Sequence, residues 1–206
     1  MPDFDNVAEV GLPAMLELCR EAVAWTARNA ASFGGDPGRL YLAGHSSGAH
    51  LASCVLLADN PVKAALLISG MYDLHAPMLS ARSSYVKITP EEQDAASAMR
   101  HLGRIRCPVS VAWSPGDSPE FRRQAQVFVA ALQGMGKLVA GNEVFSPNHF
   151  EEPRQLGNPE SALSRMLYTL RKSENGRPAG RGKDEAPAAP RRRGKARAGE
   201  ETAAGT

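Results

Sequence analysis

The chain has 206 residues, enough for one domain with a substantial core, and its 43% hydrophobic content is ordinary for a globular protein. No apolar run approaches the ~18 residues of a membrane span, and the acidic N-terminus lacks signal-peptide character, so we expect a cytoplasmic protein with no membrane partner. Residues 172–206 hold nine Lys and Arg against five Asp and Glu, whereas residues 1–171 hold fifteen against seventeen. We therefore divide the chain into a folded domain, residues 1–171, and a basic tail, residues 172–206.

The first predicted element is an amphipathic helix. Residues 1–11 form an irregular lead-in, and from residue 12 apolar side chains recur at helical spacing as far as residue 30. Gly34 and Gly35 then end the helix, and the Asp36-Pro37-Gly38 turn leads into a strand.

That strand, residues 40–43, ends at the sequence Gly44-His45-Ser46-Ser47-Gly48, and a helix-forming segment follows. A Gly-x-Ser-x-Gly turn between a strand and a helix is typical of a nucleophile elbow, in which glycines on either side relieve clashes around an exposed serine. Ser46 is therefore a candidate nucleophile. The backbone N–H of Ser47, at the helix N-terminus, is a candidate oxyanion donor. The alternative is an ordinary turn with a structural serine.

Strands and helices alternate through the rest of the domain. The elbow helix ends near residue 58, further strands are predicted at 62–69, 108–114 and 138–145, and further helices at 94–102, 118–132 and 159–171. This alternation predicts an α/β fold with a parallel sheet. Residues 70–93 form a long connection of the kind that often serves as a lid or binding segment, and Tyr85 within it is a candidate substrate contact.

Three polar residues follow three different predicted strands: Ser46, Asp117 and His149. Ligands bind beyond the carboxyl ends of parallel strands, and the order Ser, Asp, His is that of α/β-hydrolases. His149 would then accept the serine proton, while Asp117 would orient the imidazole. Asp73, after another strand, and Glu120, one turn from Asp117, are alternatives for the acid.

No metal site or cofactor is predicted. His45 and His50 flank the serine and are interpreted as packing or supporting residues, while His75 and His101 have no partner at ligand spacing. The three cysteines show neither disulfide-framework nor zinc spacing and are predicted to be small buried residues: Cys19, Cys54 and Cys107.

The tail is rich in Gly, Pro, Ala, Arg and Glu, a composition that predicts disorder. Its basic run, residues 191–197, is compatible with contact to nucleic acid or an acidic surface, but a solvated tail is the simpler interpretation. We expect a small-molecule substrate and no nucleic-acid partner.

Several motifs resemble those of the α/β-hydrolase kynurenine formamidases (arylformamidases) and their esterase relatives, over about residues 5–171. The similar segments are FGGDP (33–37), GHSSGAHL (44–51), SGMYDL (69–74), DSPEFRRQ (117–124) and NHF (148–150). The resemblance implies an α/β-hydrolase fold with Ser46 as nucleophile, Asp117 as triad acid and His149 as base. The reaction it implies is hydrolysis of N-formylkynurenine to kynurenine and formate, a step of tryptophan catabolism.

One departure from that family lies upstream. Its members carry a His-Gly-Gly-x-Trp oxyanion loop and several strands before the region where this chain begins, so the chain looks N-terminally truncated and would supply the C-terminal portion of the sheet. Strand 40–43 would then have an unpaired edge, which predicts poor solubility or edge pairing into a homo-oligomer. Three functions remain open: an aryl formamidase, a general carboxylesterase, or an inactive hydrolase fragment that serves as an interaction module.

Overall fold

A computed structural model describes residues 5–173 of the chain, so residues 174–206, with the predicted disorder and the basic run, lie outside the described residues. Four parallel strands form one sheet in the order β1-β2-β3-β4. The strands are β1 Tyr41–His45, β2 Ala64–Ile68, β3 Val109–Trp113 and β4 Leu138–Glu143. Each lies where the sequence predicts a strand, which confirms the parallel α/β architecture.

Six α-helices occur within residues 5–173: α1 Val7–Asn29, α2 Ser47–Val55, α3 His75–Met78, α4 Pro90–Ala95, α5 Pro119–Gly134 and α6 Ala162–Ser173. Short 3-10 helices join them at Ala30–Phe33, Pro37–Arg39, Ala81–Ser84, Ala98–Arg104 and Glu152–Gly157. None of the helices in this described part of the chain is both long enough and apolar enough to cross a membrane.

Helix α1 begins earlier than the sequence pattern suggests. The side chain of Asn6 accepts a hydrogen bond from the Ala8 N–H (3.0 Å) and caps a first turn that begins at Val7. Gly11, with φ of 79°, interrupts the helix before it continues along the predicted segment. The prediction that residues 7–10 are irregular is therefore wrong.

The single helix predicted over residues 94–102 is also wrong. Helix α4 begins at Pro90, because the Thr89 hydroxyl accepts from the Glu92 N–H (3.2 Å) and the Glu92 carboxylate accepts from the Thr89 N–H (2.8 Å). This reciprocal capping box fixes the start of the helix. The helix ends after one and a half turns, and Ala98–Arg104 is a 3-10 helix.

The core lies on both faces of β2 and β3, whose residues are buried throughout. On one face, Leu67 and Val111 pack with α2 and with Phe128 of α5. On the other face, Leu66 and Ile68 pack with three residues of α6: Leu163, Met166 and Leu170. Helix α1 packs against α2, with Leu12, Met15, Leu16 and Cys19 against Leu51, Cys54 and Val55. The three cysteines are buried, as predicted.

Strand β1 is an edge strand of the described sheet, as predicted. It pairs with β2 in the register that places Tyr41 opposite Ala64 and His45 opposite Ile68. Its residues are partly exposed, and Ala43 in the middle of the strand is exposed. The strand that leads to the predicted nucleophile is thus less buried than its neighbour β2.

Candidate active site

Ser46 lies in a sharp turn between β1 and α2. Its backbone has φ of 57° and ψ of −123°, a strained combination for a serine, and its N–H donates to the Ile68 carbonyl (2.9 Å). A Cβ added at Gly44 would lie 2.3 Å from the Gly48 carbonyl oxygen, so only glycine lets the strand end approach the first helical turn. A Cβ at Gly48 would meet nothing within 4 Å. The prediction that glycines relieve clashes on both sides therefore holds for Gly44 alone.

The three residues predicted from separate strand ends form one chain of hydrogen bonds. The His149 ring lies with Nδ1 2.7 Å from Asp117 Oδ1 and Nε2 2.7 Å from Ser46 Oγ. Because an ionised carboxylate only accepts, Nδ1 donates to Asp117, and Nε2 of the neutral ring accepts from the Ser46 hydroxyl. The order of groups is that of a nucleophile, a base and an orienting acid.

Asp117 is held by the turn that follows β3. Its side chain is fully buried, and Oδ2 accepts from the Ser114 N–H (2.8 Å) and from the Ser69 hydroxyl (2.5 Å). The Ser114 hydroxyl in turn donates to the Ser146 carbonyl (3.1 Å), which links this turn to the loop that carries His149. Asp117 and His149 are therefore held together through backbone groups as well as through their own hydrogen bond.

His149 is positioned by a turn that Asn148 stabilises. The Asn148 side-chain oxygen accepts from the N–H groups of Phe150 (3.0 Å) and Glu151 (3.1 Å). The imidazole is about one fifth exposed and packs edge-on against Phe121 and Phe150, with ring centroids 5.3 and 5.6 Å away. The sequence Asn148-His149-Phe150 thus combines a turn residue, the candidate base and an aromatic neighbour.

The two alternative acids are bound elsewhere. Asp73 accepts from Nε and Nη2 of Arg100 (2.9 and 3.0 Å), and these hydrogen bonds lower the pKa of its carboxyl group. Glu120 accepts from Arg123 through both oxygens (2.7 Å each), which likewise lowers its pKa. Of the three candidate acids, Asp117 is the one that hydrogen-bonds to the imidazole.

The family model of the alpha/beta hydrolase fold matches residues 1–140. The chain belongs to this family. Kynurenine formamidase of Danio rerio is 36% identical over 143 residues, covering 64% of this chain and 49% of the fish protein. Kynurenine formamidase of Salmo salar is 30% identical over 181 residues, covering 81% and 60%. This hydrolase-fold chain therefore spans about half to three fifths of the curated relatives it matches.

Solved structures agree on the fold. Carboxyl esterase 2 of the mycorrhizal fungus Tuber melanosporum superposes with a TM-score of 0.61 at 22% identity, covering 81% of this chain and 64% of that one. At this identity the likeness concerns the fold alone. The α/β-hydrolase fold and the resemblance to kynurenine formamidases and esterases, both predicted from sequence, are confirmed.

The remaining predicted site residues of this hydrolase-fold chain lie around the elbow. Ser47 begins α2, so its N–H has no carbonyl one turn earlier within the helix and is available to a ligand. Tyr85 follows the Ala81–Ser84 turn and is half exposed. The same turn carries Arg82, whose guanidinium lies 5.6 Å from the ring centroid of Phe121, beside His149. The long connection thus reaches the site, and the role of Tyr85 stays a prediction.

Sequence reasoning missed two residues of the site, Ser69 and Glu152. Ser69, at the end of β2, has a positive φ of 48° and is fully buried, and its hydroxyl is hydrogen-bonded to Glu152 as well as to Asp117. Glu152 is also fully buried, and burial raises the pKa of its carboxyl group to about 7. The available signals were the SGMYDL segment, which begins at Ser69, and two acids shortly after the candidate base, but neither shows that Glu152 is buried, because its burial depends on strand order.

His45 supports the site rather than joining the hydrogen-bonded chain. Its ring lies 4.5 Å from that of His149, centroid to centroid, and burial lowers its pKa. Within residues 5–173, His45, His149 and Glu152 are the one group of side chains close enough to share a metal ion, with ligand atoms within 4.8 Å of one another. Both His149 nitrogens already have protein partners, so we assign no metal to this group. His50, by contrast, is buried against the Ala96 carbonyl (2.8 Å), in agreement with a packing role.

Proposed function

We propose that this protein is a serine hydrolase that cleaves an aryl formamide, N-formylkynurenine, to kynurenine and formate. The observation that carries the proposal is the hydrogen-bonded chain from Ser46 through His149 to Asp117, with both links at 2.7 Å. A serine, an imidazole and a buried carboxylate in this geometry are the parts that acyl transfer requires. Cytoplasmic location stays a prediction.

The mechanism follows from the direction of the hydrogen bonds. His149 Nε2 takes the proton of Ser46 as Oγ attacks the formyl carbon, while Asp117 stabilises the imidazolium. The oxyanion of the tetrahedral intermediate would accept a hydrogen bond from the Ser47 N–H. The imidazolium then gives its proton to the aryl amine nitrogen, the carbon–nitrogen bond breaks, and a formyl-serine remains. Water attacks this ester by the same route and releases formate and free Ser46.

Two features support an aromatic formamide in particular. Phe121 and Phe150 flank His149, and a planar aryl leaving group can stack on such rings as it departs. The relatives from Danio rerio and Salmo salar are kynurenine formamidases. The proposal assigns their substrate to this chain on the strength of that similarity.

A general carboxylesterase is the second candidate. Within residues 5–173 we identify one backbone oxyanion donor, at Ser47, and the lack of a second typically costs about a hundredfold to a thousandfold in rate. Aryl esters have better leaving groups than amides and tolerate this loss more easily. The same observation motivates the third candidate, an inactive fragment.

The test compares hydrolysis of N-formylkynurenine and of a short-chain aryl ester by the purified protein and its variants. We expect Ser46→Ala to lower kcat by about four to six orders of magnitude, or to the detection limit. Asp117→Asn should cost about 10⁴-fold, since it supports the wrong imidazole tautomer. Asp73→Asn is the matched control, because it removes the charge of a carboxylate that is bound to Arg100 instead.

The outcomes separate the three candidates. Ser46-dependent turnover that prefers the formamide supports the proposal, whereas preference for the ester favours the carboxylesterase. Equal rates for wild type and Ser46→Ala on both substrates would contradict catalysis. Equal losses in Asp117→Asn and Asp73→Asn would contradict the assignment of the acid.

A further inference from the structure

The hydroxyl of Ser69 lies between two buried carboxyl groups. Its Oγ is hydrogen-bonded to Oδ2 of Asp117 (2.5 Å) and also to Oε2 of Glu152. Ser69 and Glu152 are both fully buried, and the carboxyl group of Asp117 is buried as well. These contacts extend the chain from Ser46 to Asp117 by two further groups.

The number of protons limits how these groups can be bound. A serine hydroxyl has one hydrogen to donate, and an ionised carboxylate can only accept. Two ionised carboxylates therefore cannot both be hydrogen-bonded to the same hydroxyl. One of the two carboxyl groups must carry a proton and donate it to Ser69, while Ser69 donates its own hydrogen to the other.

The surroundings decide which group is protonated. Asp117 accepts from the His149 ring through Oδ1 and from the Ser114 N–H through Oδ2, so donors meet both oxygens, as a carboxylate requires. Glu152 has no such support, since Oε1 is buried and without a hydrogen-bond partner among the described residues. Burying an unpaired ionised carboxylate is costly, and a protonated one avoids most of that cost.

Among the residues that the structure describes, no cation near Glu152 offsets its charge. His45 Nε2 lies 3.9 Å from Oε2, but burial and the neighbouring His149 lower the pKa of His45 and favour its neutral form. Within residues 5–173, the other ionisable groups that face Glu152 are Asp117, His149 and the buried Tyr72, whose pKa is raised by burial. On the same segment, Glu151 pairs with Arg154 at the surface (3.4 Å).

We propose that Glu152 is a positioning residue: a protonated carboxylic acid that, through Ser69, fixes Asp117 in the orientation in which it holds His149. The inference rests on the proposed function, because it assigns the trio of Ser46, His149 and Asp117 a catalytic task. Burial raises the pKa of Glu152 to about 7, the hydrogen bond from Ser69 opposes this and the charge of Asp117 adds to it, in agreement with a group that is mostly protonated below neutral pH.

Ionisation of Glu152 would impair the base in two ways. Above the pKa of Glu152, Ser69 can satisfy one carboxylate only, so Asp117 loses a defined partner. A second negative charge near His149 also favours the imidazolium, which cannot accept the serine proton. As the pH rises through about 7, kcat should therefore decrease, and a variant with a neutral side chain at position 152 should not show that decrease.

The test uses Glu152→Gln, which keeps a donor to Ser69 at every pH, and Glu152→Ala, which removes it. At pH 6 we expect Glu152→Gln to retain most of the wild-type kcat, and Glu152→Ala to lose about tenfold with little change in KM. From pH 6 to pH 8 the ratio of kcat for Glu152→Gln to that for wild type should rise by up to about tenfold, since a charge so close shifts a neighbouring pKa by about one unit or more. A ratio that stays constant overturns the proposal, as does a Glu152→Gln variant that is as impaired as Glu152→Ala at pH 6.

A second measurement does not depend on turnover. Infrared spectra at pH 6 should show the carbonyl band of a protonated carboxylic acid in wild type and in Ser46→Ala. The band should disappear toward pH 8 and be absent from Glu152→Gln. Absence of the band at pH 6 overturns the proposal. If Ser46→Ala shows that the proposed function is wrong, or if Glu152→Ala does not fold, this measurement still decides the protonation of Glu152.

Discussion

Strands β1, β2 and β3 all lead to residues of the candidate site, but they differ in how far their residues are buried. The residues of β2 and β3 are buried on both faces, while those of β1 are partly exposed and one edge of the strand has no partner in the described sheet. Ser46 directly follows the partly exposed strand β1. Ser69 directly follows the buried strand β2, and Asp117 lies in the turn after the buried strand β3. Burial positions Asp117, but it does not position Ser46.

What positions Ser46 is contact between backbone atoms. At Gly44 the end of β1 approaches the first turn of α2 more closely than any side chain permits. The Ser46 N–H also donates a hydrogen bond to the Ile68 carbonyl at the end of β2. An edge strand can therefore present a residue with a defined geometry, provided that the turn after it is sterically fixed. Three substitution pairs test this contrast between close backbone contact and burial.

The largest effect is expected at Gly44. Gly44→Ala places a Cβ 2.3 Å from a backbone oxygen, so we expect at least about 3 kcal/mol loss in the free energy of unfolding, together with loss of activity. Gly48→Ala is the matched control, because the added Cβ meets open space and alanine favours the helix by about 0.5–1 kcal/mol. Urea denaturation of both variants measures the difference. Similar stabilities for the two would show that the elbow is not sterically fixed.

A smaller difference is expected between leucines on the same face of neighbouring strands. Leu67→Ala on β2 removes a fully buried side chain and should cost about 2 to 5 kcal/mol. Leu42→Ala on β1 removes a partly buried one and should cost roughly 1 kcal/mol, since less apolar surface returns to water. Equal shifts in the urea midpoint would mean that β1 is covered as well as β2 in solution.

The smallest effect concerns the free edge of β1. We expect the purified chain to associate as its concentration rises, and Ala43→Lys to reduce that association by placing a charge on the exposed strand. Ala31→Lys adds the same charge at an exposed position outside the sheet and serves as the control. Sedimentation velocity over a concentration series measures both. A wild-type chain that stays monomeric throughout would contradict edge pairing.

The sequence predicts the parts of this molecule that depend on local patterns. Apolar runs closed by turn residues identify the four strands, and the Gly-x-Ser-x-Gly spacing identifies the elbow, because both signals lie within a few residues. Asp117 and His149 could be found because each directly follows a strand, and parallel strands end at one edge. The capping box at Thr89 and Glu92 was also readable from the sequence, and it would have placed the start of α4 correctly.

The rest depends on which strands are neighbours. Ser69 and Glu152 are 83 residues apart and meet only because β2 and β3 are adjacent and the loop after β4 returns across their ends. No local pattern distinguishes a buried Glu152 from the exposed Glu151 beside it. The unequal roles of Gly44 and Gly48 likewise emerge only from the angle between strand and helix.

The position of α6 in the sequence affects how the chain can fold during translation. One face of β2 and β3 is covered by Leu163, Met166 and Leu170, which belong to the final described helix. The ribosome synthesises the strands before that helix, so a nascent chain exposes Leu66 and Ile68 until residues 162–173 have been added. The nascent chain should therefore need chaperone protection until α6 is available, and a premature stop before residue 162 should yield an insoluble product.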